Sequence, residues 1–209
     1  YGILVQVLMS PGIIAGIFSI SLGSNLVRFT SKLDSGDRYG INRDVTTVFS
    51  GSIGLAIVGS LLLYILSGPI NMSLFQGTSQ ALIKASCLLV LTEVMWRILG
   101  FYLKSRKKFK TFSVSNMIYQ FVPYMGIVLG IYFTQNLLYS IVYMAISQFL
   151  IICAIRYLCL QELRFVRPSW SRLKYFVSYS WPLSLSNISG GLLAKSDRYL
   201  ISYFLGPSA

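Results

Sequence analysis

Glu93 and Arg97 stand four residues apart in an otherwise largely apolar stretch, and Lys195, Asp197 and Arg198 crowd into another. An ionised side chain inside an apolar helix is costly unless it faces protein or water, so these are the positions where this chain could do chemistry. Glu93 precedes Arg97 by one helical turn, the order that favours an attractive pair, and a structural and a functional role are both open for them. Lys195 and Arg198 have stems long enough either to snorkel to an interface or to line a water-filled cavity. Asp197 is too short to snorkel, so it pairs with a cation on a neighbouring helix or faces water.

Other chemistries find no support. The chain has no His, which excludes a Ser-His triad and a His metal cluster. Its six Asp and Glu are too scattered for a glycosidase pair. Gly190-Gly191 stands alone rather than in a phosphate-cradling loop. Cys87, Cys153 and Cys159 fall inside apolar runs with no zinc-site spacing and read as small apolar side chains. The expectation is a protein that is not an enzyme and holds no metal or cofactor.

The elements that carry these residues follow from composition. Of 209 residues, 55% are hydrophobic and only 11% charged, against about 25% charged in soluble domains. About 20 apolar residues in a helix span a bilayer core. Six runs qualify: Ile3–Leu22, continuing as helix towards Lys32; Val45–Leu66, closed by Gly68-Pro69; Ala81–Leu103; Phe112–Phe133; Leu137–Leu160; and Tyr175–Ala194, running on towards Tyr203. Period-2 alternation is absent, which disfavours a barrel. The predicted fold class is an all-α integral membrane bundle.

The net charge of +12 is not the footprint of a nucleic-acid partner, because the cations sit in short loops beside apolar runs. Arg28, Lys32, Arg38 and Arg43 follow the first run, Lys104, Arg106, Lys107, Lys108 and Lys110 the third, and Arg156, Arg164, Arg167, Arg172 and Lys174 the fifth. The loops between the second and third runs and between the fourth and fifth carry no Lys or Arg. Basic loops mark the cytoplasmic face, so Tyr1 is expected outside, and a full-length protein that begins in the cytoplasm would have one more helix before it.

Polar residues recur at helical spacing within the runs. Gln6, Ser10, Ser21, Asn25, Arg28 and Lys32 form one stripe, Ser113, Asn116, Gln120 and Tyr124 a second, and Ser180, Ser184, Asn187, Gly191, Lys195 and Arg198 a third. Ser and Gly stripes are also what close helix packing requires.

The segment Tyr179-Ser180-Trp181-Pro182, followed by Ser196-Asp197-Arg198-Tyr199, resembles the seventh helix of polysaccharide flippases such as the O-antigen and teichuronic-acid exporters. These belong to the multidrug/oligosaccharidyl-lipid/polysaccharide exporter superfamily. Leu26-Val27-Arg28-Phe29 is similar to the family's pattern at the inner end of its second helix, whereas Lys195 departs from the smaller or polar residue expected there. The resemblance implies a piece covering the family's second to seventh helices. Residues 1–172 then supply most of a first bundle of about five spans, and residues 173–209 the opening helix of a second, pseudo-symmetric bundle with the outer loop after it. It implies a multi-pass protein of the cell membrane, serving the cell envelope, that moves lipid-linked oligosaccharide or polysaccharide repeat units, lipopolysaccharide precursors among them, to the outer leaflet by alternating access. Arg28, Asn187, Lys195 and Arg198 become the candidate substrate contacts. Glu93, Arg97 and Asp197 become candidate coupling or structural charges, with Na⁺ or H⁺ as the coupling ion. The competing classes are a multidrug exporter, for which the chain is poor in acids, a glycan polymerase or ligase, for which its loops are short, and a non-transporting membrane scaffold.

The loop charges generate the first prediction. In intact cells, on a background without native cysteines, an impermeant thiol reagent should label cysteines placed at positions 71 and 135 and not at 38, 107 or 167. Labelling at 107 would overturn the orientation.

Overall fold

The computed structural model describes residues 2–18, 22–30, 37–75, 79–159, 161 and 163–205. Among them the chain forms seven helices and no strand: α1 (Gly2–Phe18), α2 (Leu22–Thr30), α3 (Arg38–Phe75), α4 (Gln80–Ser105), α5 (Phe109–Thr134), α6 (Leu137–Cys159) and α7 (Trp170–Leu205). The expected all-helical bundle is what the chain adopts.

Its outer surface is apolar. On α3, Ile57, Leu61, Leu62, Ile65 and Leu66 point away from the bundle, and on α5 so do Met117, Ile118, Phe121, Val122, Met125, Val128 and Leu129. A soluble monomer rarely exposes more than a few hundred Å² of continuous apolar surface, so these faces require lipid. The helices α3 over Arg38–Met72, α5 over Phe109–Thr134 and α6 over Leu137–Leu158 are long and apolar enough to cross a membrane. The pair α1 and α2, bent by 51°, makes a fourth crossing if it is one broken span. The protein is a membrane protein.

The third and sixth expected runs become α4 and α7, which do not belong to that group. For α4 the reason is packing. It is walled in by α1, α2, α3, α5 and α6. Its surface meets protein more than lipid, so Glu93 and Arg97 can reside on it. Ile83, Val90, Val94, Leu99 and Leu103 of α4 fill the centre of the core with Val7, Leu26, Val48, Leu63 and Ile141.

Helix ends depart from the apolar runs in three places. The first run is described as two helices, α1 to Phe18 and α2 from Leu22, whose axes differ by 51°. Of the stripe from Gln6 to Lys32, Asn25 and Arg28 on α2 reach α7, and Ser21, Lys32 and the Gln6 side chain lie outside the described residues. The second run does not close at Gly68-Pro69: α3 passes through Pro69 to Phe75. It also starts earlier, because the Asp37 carboxylate accepts the Gly40 N–H at 2.9 Å and caps the first turn. Its 38 residues make a helix about 57 Å long, well beyond a hydrocarbon core of about 30 Å. Hydropathy marks where a helix meets lipid, and α3 continues past both ends of that zone. Finally, α7 begins at Trp170, five residues before Tyr175.

The connection from α6 to α7 is extended and tied to the start of α3. The Thr46 and Thr47 hydroxyls, donating to the carbonyls of Asn42 and Arg43, accept the N–H groups of Val166 at 3.3 Å and Ser169 at 3.0 Å. Arg172 lies 3.8 Å from Asp44, which is 1% exposed. Phe165 packs on Phe49 while the Arg156 guanidinium covers it at 4.3 Å. Four contacts from one stretch of α3 thus fix where α7 starts.

The helices α5 and α6 form a hairpin closed by Gln135 in the left-handed conformation, φ 50°, with its N–H on the Ile131 carbonyl. Gly126 and Gly130, one turn apart, let the two backbones meet. A Cβ on Gly130 would stand 2.7 Å from Ser140 Cα, and one on Gly126 3.2 Å from the Tyr143 carbonyl oxygen. This is the small-residue packing that brings membrane helices together where lipid supplies no hydrophobic drive. The expected stripe Ser113, Asn116, Gln120 and Tyr124 lies elsewhere: Ser113, Gln120 and Tyr124 are exposed, and the buried face of α5 is Ser115, Tyr119, Pro123, Gly126 and Gly130. Gly130→Ala should therefore lower stability by about 1–3 kcal/mol through overpacking, read as a lower unfolding midpoint in detergent. An unchanged midpoint would mean that α6 moves aside freely.

Candidate functional site

Two polar assemblies sit inside this bundle. The first is centred on α4. Arg97 Nε lies 3.3 Å from Glu93 Oε1, the expected one-turn pair. The structure adds partners from other helices. Tyr119 of α5 donates to Glu93 Oε2 at 3.2 Å, and an Arg97 NH2 group donates to the Gly12 carbonyl of α1 at 3.3 Å. Thr92, the residue before Glu93, donates to Gln148 Oε1 of α6 at 2.5 Å. The Tyr119 ring is held flat against Trp96, centroids 4.5 Å apart. Glu93, Tyr119 and Gln148 line a cavity of ≈ 170 Å³ together with Pro11, Gly12, Gln120 and Tyr124.

Each contact has a local cause. Gly12 has no side chain to shield its carbonyl, and Gly16 one turn on leaves room for the guanidinium, a Cβ there standing 3.7 Å from Arg97 Nη1. Tyr119 is buried where an unpaired hydroxyl would be costly, and the carboxylate satisfies it. Sequence reasoning found Glu93 and Arg97 but not Thr92, Tyr119 or Gln148. Their helical phase relative to α4 depends on how α5 and α6 rotate, which no spacing within one run reports.

The second assembly joins α2 to α7. Phe29 is inserted among Tyr175, Phe176 and Tyr179, with ring centroids 5.4–5.5 Å away. Asn25 Nδ2 donates to Ser180 Oγ at 2.5 Å, and Ser180 in turn donates to the Phe176 carbonyl at 2.7 Å. Asn25, Ser180 and Ser184 are buried, so this polar seam is internal. Arg28, at the solvent side of the seam, donates to the Tyr179 hydroxyl and covers the Tyr179 ring at 5.0 Å. Beside it opens a cleft of ≈ 710 Å³ lined by Ser24, Asn25, Arg28, Ser178, Tyr179, Pro182 and Ser186. Pro182, inside α7, removes the helical donor to the Ser178 carbonyl at the wall of this cleft.

The expected site residues divide accordingly. Arg28 is at the α2–α7 cleft, and Glu93 with Arg97 is in the α4 network, so the structure does not gather them into one site. The side chains of Asn187, Lys195, Asp197 and Arg198 on α7 lie outside the described residues. Ser180 and Ser184 of the α7 stripe are packed against other helices, as a packing face requires. Ser24, Ser178 and Tyr179 were not singled out for binding. They are ordinary polar residues that only the pairing of α2 with α7 brings around one cation.

Chemically, the cleft offers one guanidinium with planar donors and a wall of hydroxyls and amides. That set suits a phosphate or a hydroxyl-rich ligand. Among the described residues no group of His, Cys, Asp and Glu could hold a metal ion, and Cys87 and Cys153 are free.

The whole chain, residues 1–209, matches the family described as polysaccharide biosynthesis protein. The chain belongs to that family, which is the polysaccharide flippase type of the resemblance above. No curated protein and no solved structure matches it significantly.

The α4 network makes its own prediction. Arg97→Met removes the partner of Glu93 and the donor to Gly12. Both side chains are about a third exposed, so the loss should be about 1 kcal/mol rather than the larger cost of a fully buried pair. The double variant Arg97→Met/Glu93→Gln should recover part of that loss. Additive losses in a denaturation cycle would show that the two residues act independently.

Proposed function

We propose that this member of the polysaccharide biosynthesis family is a flippase, which moves lipid-linked oligosaccharide or polysaccharide repeat units from the cytoplasmic to the outer leaflet of the plasma membrane. The observation that carries this reading is the α2–α7 cleft. It sets the Arg28 guanidinium among the hydroxyls of Ser24, Ser178, Tyr179 and Ser186, in a chain whose outer faces require lipid. A lipid-linked saccharide presents a phosphate or pyrophosphate next to sugar hydroxyls, and this lining matches both parts. The protein is then a transporter and not an enzyme, and its partners are the saccharide carrier and the surrounding lipid.

In this reading the chain is multi-pass. The bent α1–α2 pair and each of α3 to α7 make one crossing, with the basic connections before α3, between α4 and α5 and between α6 and α7 in the cytoplasm. Helix α7 opens a second bundle that rocks against the first. Asn187, Lys195 and Arg198 are the candidates, from the sequence, for further substrate contacts, and Asp197 for a coupling or structural charge. Glu93, held by Arg97 and Tyr119, is the acid through which Na⁺ or H⁺ coupling would act. A multidrug exporter fits less well, because a cationic cleft repels the cations such proteins carry.

Arg28→Ala in the full-length protein should lower surface polysaccharide about tenfold, the loss of about 1.4 kcal/mol of binding, in a flippase-deficient strain and normalised to protein abundance. Arg28→Lys, which keeps the charge without the planar fork, should retain part of it. Tyr179→Phe should leave export largely intact, since it removes a hydroxyl that orients Arg28 and keeps the ring. Full export by Arg28→Ala would remove this cleft from the transport path.

A further inference from the structure

We infer that the groove between α3 and the start of α7 seats one chain of an anionic membrane phospholipid, with its phosphate at the basic α6–α7 connection. The groove has a volume of ≈ 640 Å³, and Gly51, Gly54, Leu55, Val58, Leu173 and Val177 form much of its wall. It exists because α3 lacks side chains there. A Cβ on Gly51 would already press within 2.5 Å of Leu173, so the helices touch at that point, whereas a Cβ on Gly54 would meet nothing within 4 Å. The space beside Gly54 is open and apolar, and it lies on a helix whose neighbouring residues Ile57, Leu61 and Ile65 face lipid.

Length and charge select the occupant. From Thr47 to Val58 along α3 the groove runs about 16 Å, about half of a hydrocarbon core of about 30 Å. That is the depth of one leaflet, which an acyl chain fills and a long isoprenoid exceeds. One end is polar and fixed: the Ser169 N–H on the Thr47 hydroxyl sets the α6–α7 connection level with the start of the groove. Arg167 directly precedes the lining residue Pro168, and Lys174 directly follows Leu173. Both are exposed, and no acidic residue falls between Leu163 and Lys174. The buried acid nearest this end, Asp44, faces Arg172. A juxtamembrane cluster of Arg and Lys attracts anionic over zwitterionic headgroups. Trp170 lines the same end and is 82% exposed, the place where an indole anchors at the headgroup level.

Trp170 is also the reporter. The full-length protein, with its other tryptophans replaced by Phe, is placed in phosphatidylcholine vesicles containing a minority of phosphatidylglycerol, with bromine on the chains of one lipid or the other. Bromine on the anionic lipid should quench Trp170 several-fold more, per mole of brominated lipid, than bromine on the zwitterionic one. The preference should vanish in Arg167→Gln/Lys174→Gln, two exposed positions that leave the packing intact. It should also fall in Gly54→Leu, which fills the groove without touching the charges. Equal quenching by both lipids in the parent protein would overturn the inference. A preference that survives Gly54→Leu would place the lipid on the basic surface and not in the groove, and would overturn it equally. Undiminished preference in the charge variant would exclude headgroup recognition at Arg167 and Lys174.

Discussion

A carboxylate and a guanidinium in the middle of α4 cannot be left facing lipid, and much of the bundle follows from that constraint. Glu93 and Arg97 satisfy one another first, but a carboxylate has more acceptor capacity than one donor fills, and a guanidinium more donors than one carboxylate takes. The remainder comes from α1 through the Gly12 carbonyl and from α5 through the Tyr119 hydroxyl. A helix that needs partners on several sides must be surrounded, and α4 is. Lipid-facing work then falls to α3, α5 and α6, whose outward residues are apolar without interruption over several turns. Membrane helices gain little from apolar contact with one another, so such polar junctions and the Gly126–Gly130 approach carry much of the specificity of their assembly.

Helix α7 is held by a different logic. Its beginning is fixed by the extended connection tied to Thr46, Thr47 and Asp44 of α3. Its next turns are fixed by Phe29 and Asn25 of α2. Two short helical faces, one apolar and aromatic, one amide and hydroxyl, therefore set its orientation. The α2–α7 cleft and the α3–α7 groove lie on opposite partners of the same helix. Residues of α7 line both of them, Leu173 and Val177 the groove and Tyr179 and Pro182 the cleft.

Much of this was legible in the residues themselves. Six apolar runs located the helices, to within a few residues over α4, α5 and α6, because an apolar segment in lipid must satisfy its backbone internally and has no other regular option; the first run covers both α1 and α2. The Glu93–Arg97 pair was legible because one helical turn brings the two side chains together whatever surrounds them. Gly126 and Gly130 carried a signal that could have been read, two glycines four apart in an apolar run, and it marks the closest helix approach. Pro69 misled, since a proline near the end of an apolar run suggests a stop, whereas the helix tolerates it and extends to Phe75. The Ser113–Tyr124 stripe was legible in part: Gln120 and Tyr124 line the cavity beside Glu93, whereas Ser113 at its other end is exposed.

What the sequence by itself determined was the all-helical class, the course of most helices and the residues too polar to meet lipid, because each depends on the local balance of apolar and ionisable groups along the chain. Tertiary structure alone decided which of those residues meet. Arg28 reaches Tyr179 across 151 positions of chain and Asn25 reaches Ser180 across 155, while Arg28 and Glu93, equally conspicuous in sequence, end in separate places. The reason is rotational. Each helix can turn about its axis at almost no local cost, and only the simultaneous satisfaction of buried polar groups and close-packed glycines on several helices fixes the angle of each.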